Sequence, residues 1–192
     1  FEAHSLSELV GRLQYDAIYH EHRYYFGLAA IERLLAQHGL HVFAVESHPL
    51  LGGTLRYFAD KGARPVQPSV DRQRVREYGL SAALERFAAR VQAHRRSMTD
   101  LPRVAAYGAS GRGCMLLQHC QIDAAYVVDD APVRQGRFTP GTRRPIVPRL
   151  AEDGLPLLLT AWTYAQEILP KCHGREVIVP LPEVHKVDLC LA

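Results

Sequence analysis

At 192 residues, 47% of them hydrophobic, the chain can bury a core of its own, which excludes a disordered segment or a small peptide that depends on staples. Its formal charge of +3 rests on arginine, with lysine only at Lys61, Lys171 and Lys186. These charges are spread along the chain instead of forming the block that marks a nucleic-acid footprint, so the partner expected is a small anionic molecule. No apolar run reaches the roughly 18–20 residues of a membrane span, and no signal-peptide pattern opens the chain. The four cysteines, Cys114, Cys120, Cys172 and Cys190, form no C-x-x-C pair and have no histidine at ligand spacing. Reduced thiols in the cytoplasm are therefore expected, with no metal site. The chain begins at Phe1 and not at a methionine, as a piece of a longer protein would.

Ser5 with Glu8 three residues later is a capping-box pattern and predicts a short helix over 5–14, because the hydroxyl accepts from a free amide of the first turn. The segment YDAIYHEHRYYF (15–26) follows as a loop or short strand. Leu28, Ile31, Leu34 and Leu35 recur at helical spacing and Gly39 supplies the stop, so 27–40 is read as a helix. HVFAVESH (41–48) and TLRYFAD (54–60) are β-rich runs separated by PLLGG, which predicts an antiparallel pair. A polar, proline-containing connection, GARPVQPSVDRQ, leads to an amphipathic helix over 81–98. From Arg103 the order is strand, glycine turn YGASGRG, helix 112–119, strand 124–129, loop, short strand 145–147, strand 155–162, helix 163–170 and strand 176–180. Such alternation predicts a small parallel α/β sheet.

The 15–26 segment concentrates titratable and aromatic chemistry. In an extended chain alternate residues share a face, so His20 and His22 point one way and Tyr19 and Glu21 the other. One reading is an acid/base cluster in which an imidazole moves a proton, a carboxylate orients it and a phenol supports oxyanion charge. The other is an aromatic belt with surface histidines. The H-E-H spacing lacks the i, i+4 geometry of a helical zinc motif.

The turn Tyr107, Gly108, Ala109, Ser110, Gly111, Arg112 and Gly113 joins a strand to a helix, where glycine lets backbone approach a phosphate and the helix start offers N–H groups to a diphosphate. Its G-x-x-G-x-G spacing departs from the dinucleotide fingerprint, and the same turn also serves as a plain tight connection. Asp129, at the end of the next strand, either accepts from sugar hydroxyls or stabilises its own turn. Arg137 lies in the arginine-rich loop RQGRFTPGTRRPI (134–146), which either closes over phosphates or is solvated surface. Trp162, the sole tryptophan, ends a strand and belongs either to a site or to the core.

YDAIYHEHRYYF, GGTLR (52–56), YGASGRG, VVDDAPVRQGRFTPGTRRPI and LTAWTYAQEI together resemble, in order, the motifs of the S-adenosylmethionine-dependent C-methyltransferases that act on nucleotide-linked keto-deoxysugars. The resemblance covers nearly the whole chain. It implies an α/β fold in which the end of a class I methyltransferase-like sheet is followed by a small Rossmann-like parallel α/β domain. The implied divisions are 1–60 as the C-terminal part of the methyltransferase domain, 61–100 as a helical linker, and 101–192 as the domain binding the nucleotide-sugar. His22 is then the base, with Tyr19 and Glu21 beside it, while Tyr107 to Arg112, Asp129, Arg137 and Trp162 bind substrate.

Two departures stand out. The family commonly carries lysine where this chain has Arg112, and its W-N-Y appears as Trp162-Thr163-Tyr164. The acidic glycine-rich S-adenosylmethionine motif and the zinc cysteine cluster would both lie upstream of Phe1, so this chain alone is expected to be inactive. A non-catalytic nucleotide-sugar or dinucleotide-binding module is the alternative.

Overall fold

Ser5 does start a helix. In the computed structural model, which describes residues 1–62, 64–172 and 174–187, its hydroxyl accepts from the Glu8 amide at 3.3 Å and opens α1 (Leu6–Gly11). Only half of the capping box forms. The Glu8 carboxylate turns to Arg12, 3.0 Å away, and the Ser5 amide donates to the Gly53 carbonyl. Cys190 and the end of the expected 101–192 domain lie outside the described residues.

Backbone contacts divide the chain into two compact units: Phe1–Tyr15 with Glu21–Ala88, and Asp16–His20 with Ala89 onward. In the first, α2 (Leu28–Ala36) buries Leu28 and Ile31 and leaves Leu34 exposed. It ends as expected: Gly39 takes φ +67°, its amide reaches the Ala36 carbonyl and the Leu40 amide the Leu35 carbonyl. That paired bonding satisfies the last carbonyls of the helix and needs the left-handed conformation glycine tolerates. β2 (His41–His48) and β3 (Thr54–Asp60) pair antiparallel, His48 facing Thr54 across the PLLGG return. A third strand, β1 (Glu2–His4), adds to β3 in the order β1-β3-β2.

The connection after 60 holds a helix of its own, α3 (Pro68–Arg76). Pro68, which reads as a breaker, sits at the helix start, where its missing N–H costs nothing. Two bonds pin that start to β2: the Gln67 amide to the Phe43 carbonyl and the Val45 amide to Ser69 Oγ. The core gathers Leu28, Ile31, Val42, Val45, Leu55, Tyr57 and Val70.

The 20-residue helix α4 (Leu80–Thr99) leads into the second unit, where it buries Val91, His94 and Met98 along one stripe. β4 (Val104–Tyr107), α5 (Gly111–His119), β5 (Ala124–Val128), β6 (Ile146–Val147), β7 (Leu157–Leu158), α6 (Ala165–Ile168), β8 (Val177–Val179) and β9 (His185–Val187) follow. The strands form one sheet in the order β6-β5-β4-β7-β8-β9, parallel except for β9. The fold is thus mixed α/β with a mostly parallel six-stranded sheet, as the strand-helix alternation predicts. Three local expectations change. The 155–162 strand keeps its ladder only at Leu157–Leu158, because the Thr160 amide turns back to the Leu158 carbonyl and the Ala161 amide then bonds the Tyr107 carbonyl at the end of β4. The 163–170 helix shortens to α6 between two 3₁₀ turns, and β9 is an added edge strand.

β5 and β6 lie on one side of β4, β7 and β8 on the other. The carboxyl end of β4 is therefore a topological switch point, where open α/β sheets bind ligands. Among the described residues, no helix is long and apolar enough to cross a membrane.

His94 is buried, and its Nε2–H donates to the Pro180 carbonyl at 2.5 Å. Burial holds its pKa below the usual 6.5, outweighing the carbonyl and the charge of Asp16, which both favour protonation. A neutral imidazole folded and an easily protonated one unfolded mean that its contribution to stability is present above pH 6.5 and is lost as pH falls through the lower folded value. Thermal melts from pH 7.5 down to 5.5 are expected to show destabilisation, and His94→Gln, which keeps a donor but no titration, should show less of it. An unchanged pH slope in that variant would assign the loss to other groups.

Candidate active site

The glycine turn after β4 is clamped from three sides. Gly108 donates to the Val128 carbonyl at 2.8 Å, Ala161 donates to the Tyr107 carbonyl at 2.9 Å, and the buried Thr160 hydroxyl lies 2.6 and 2.7 Å from the Tyr107 and Gly108 carbonyls. Gly108 takes φ +111°, and a Cβ at Gly113 would lie 2.1 Å from the Gly108 carbonyl oxygen. Close packing of α5 on the β7 end thus demands both glycines. Ser110 caps α5 by accepting from the Gly113 amide, and the Ala109 amide is taken by Asp129 Oδ2 at 2.8 Å. Among the described residues the Ser110 and Gly111 amides have no protein acceptor, and these are the donors the turn can offer an anion.

Arg112, expected as a phosphate ligand, directs its fork elsewhere. Its Nε and Nη2 donate to Asp16 Oδ2 and Oδ1 at 2.9 and 2.8 Å. The Trp162 indole N–H donates to the same Oδ2 at 2.9 Å, and the guanidinium lies 5.2 Å from the indole ring centre. Asp16 is wholly buried. One carboxylate therefore joins three segments far apart in sequence: the 15–26 segment, the glycine turn and the loop after β7. Asp16 is not among the residues the sequence motifs single out. Its signal is an acid inside the apolar run Tyr15-Asp16-Ala17-Ile18, since carboxylates are almost never fully buried without a partner. Tyr19 joins the same place: its ring edge lies 2.9 Å from where a Gly111 Cβ would stand.

Asp129 accepts from the Ala109 and Ala131 amides and, on both oxygens, from Arg134 at 3.1 and 3.2 Å. These are the bonds of a residue stabilising its own turn, and a sugar hydroxyl reaching it would displace Arg134. Tyr107 donates to Asp130 Oδ1 at 2.6 Å, and Lys171 to Oδ2 at 2.7 Å. The bonds from Lys171 and Tyr107 hold the Asp130 carboxyl below the usual range, and burial together with Asp130 pushes the Tyr107 phenol up, so it stays a neutral donor. Arg137 is exposed on the 134–146 loop, whose ends are tied by the Gly136 amide to Ile146 and the Ile146 amide to Arg137.

The 15–26 segment is not a strand. It bends at 19–21, which cancels the alternation expected for His20 and His22. Tyr19 and His20 pack with the second unit, Glu21 and His22 with the first. Glu21 and His22 are exposed, and the His22 ring meets Tyr25 edge-on at 6.4 Å between centres. In the first unit a cleft of about 430 Å³ is lined by residues including Glu46, His48, Arg72 and Arg76, none of them expected in the site. Burial pushes the Cys114 and Cys172 thiols up, so neither is prepared as a nucleophile.

Residues 49–182 match the C-methyltransferase C-terminal domain family. C-methyltransferase NovU of Streptomyces niveus is 34% identical over 203 aligned positions, which cover 93% of this chain and 48% of that protein. The chain thus spans about half the length of this curated relative. With the family match extending from the loop before β3 through the whole switch-point edge, the chain belongs to the C-methyltransferase C-terminal domain family.

Proposed function

We propose that the complete protein transfers a methyl group from S-adenosylmethionine to carbon, C3, of a nucleoside diphosphate-4-keto-deoxysugar in the cytoplasm, and that this chain holds the sugar nucleotide and the base. The observation that carries the reading is the meeting of the Tyr19 ring and Asp16 with Gly111 and Arg112 at the switch point of the sheet. It brings one end of the tyrosine-histidine segment to the turn that offers amides to a diphosphate.

In this reading the substrate's 4-keto group acidifies the neighbouring C3–H, His22 takes that proton, and the Tyr19 hydroxyl donates to the oxygen on which enolate charge grows. Glu21 orients the imidazole. The base and the donor to the enolate oxygen are each of a type worth on the order of a hundredfold in rate when positioned. The diphosphate lies on the Ser110 and Gly111 amides, with Arg137 free to approach from its loop. The first unit does not suit the methyl donor: its sheet is antiparallel, and its glycine pair is filled by the Glu8 side chain, 2.9 Å from where a Gly53 Cβ would stand. In this reading the methyl donor, and the zinc that the family resemblance implies, are held by other parts of the complete protein.

Titration calorimetry of this chain tests the division. Thymidine or uridine diphosphate is expected to bind weakly, and S-adenosylmethionine not measurably. Tight S-adenosylmethionine binding with no response to either diphosphate would overturn it.

A further inference from the structure

Asp16 sits in a 3₁₀ turn, Tyr15–Ala17, whose three residues are all buried, and the chain emerges immediately afterwards through exposed Ile18, half-buried Tyr19 and exposed His20. It is the last fixed point before the residues proposed to meet substrate. Consecutive residues at the start of α5 grip the segment at two places: Arg112 forks the Asp16 carboxylate, and bare Gly111 receives the Tyr19 ring. Trp162 closes the carboxylate from the β7 side. Three residues extend at most about 10 Å, so anchoring Asp16 strictly limits where the Tyr19 hydroxyl lies.

We infer that Asp16 is a positioning residue for the reaction: its ion pair with Arg112 and bond from Trp162 lock the Tyr19 end of the segment onto the glycine turn. The inference rests on the proposed function for what Tyr19 does, but the lock itself does not. The chemistry explains the choice of residue types. A carboxylate accepts three N–H bonds here, whereas an amide of the same size would turn an NH₂ group towards donors. Arginine at 112 gives two parallel bonds and a flat face for the indole, which the point charge of lysine does not reproduce.

The test combines a local and a catalytic readout on Asp16→Asn and Arg112→Lys. In this chain, whose only tryptophan is Trp162, the emission spectrum should shift in both variants, and amide exchange should rise over residues 17–20 while β4 and β5 stay protected. In the complete enzyme, kcat with the nucleoside diphosphate-4-keto-deoxysugar should fall by about tenfold or more, the scale of a misplaced reacting group, with KM little changed. Arg112→Lys, which keeps the charge, should fall less. Exchange that rises evenly through the whole second unit, or KM rising in step with the loss of kcat, would reduce Asp16 to a structural role and overturn the inference. So would unchanged exchange over 17–20. If Asp16→Asn does not fold, Arg112→Lys decides by the same measurements. If the complete enzyme leaves such sugars untouched, the proposed function fails while the exchange and emission results still decide the lock.

Discussion

His22→Asn in the complete enzyme is expected to lower methyl transfer by about a hundredfold or more, the usual cost of losing a positioned general base, with sugar-nucleotide affinity nearly unchanged. Asparagine keeps a polar side chain of similar reach but cannot hold a proton at neutral pH. The proposed contact of His22 is with the reacting carbon, while the diphosphate and the nucleobase supply most of the binding energy, so the loss should fall on kcat. Hydrogen exchange from solvent at the sugar C3 checks the step by itself, because deprotonation needs no methyl donor. Exchange and methylation that both survive in a folded His22 variant would remove it as the base and leave Tyr19 or a residue elsewhere in the protein. Tyr19→Phe should cost less, since it removes one donor and leaves the base in place.

The second large effect is on stability. Arg112→Ala leaves the Asp16 carboxylate wholly buried, stripped of its cation with the Trp162 indole N–H still donating to it, and is expected to cost about 3–5 kcal/mol, the range for an ion pair broken by removing one partner. Trp162 is the sole tryptophan and lies in the second unit, so urea unfolding followed by its emission reports that unit directly. Replacing both partners, Asp16→Leu with Arg112→Leu, should cost less than Arg112→Ala alone, because no buried charge is left behind. A loss below about 1 kcal/mol for Arg112→Ala, the value of an exposed pair, would mean that water reaches Asp16.

Features that depend on neighbours in sequence are legible in the chain itself. The α2 stripe and its Gly39 stop, the β2–β3 pair, the buried β4 run and the glycine turn into α5 each follow from a local period or a local backbone demand. α3 escapes such a reading because it buries only Val70 and Gln73, too little to leave an apolar stripe, and because Pro68 resembles a breaker unless its place at the helix start is known. The short strands β1 and β9 carry no compositional mark, since three residues become a strand by finding a partner edge.

The same division holds for the site. The sequence by itself determined the mixed α/β class, the strand–turn–helix at 104–119 and the order of motifs that marks a C-methyltransferase. Only the tertiary structure decided what Arg112, Trp162 and Asp129 hold. Asp16 and Arg112 are 96 residues apart, Asp16 and Trp162 146 apart, and no local pattern encodes which charge a fold will bury beside which. The sheet order does that: it returns the chain after β7 to the side of β4, where the first turn of α5, the tryptophan loop and the Asp16 turn close around one carboxylate that none of them could bury alone.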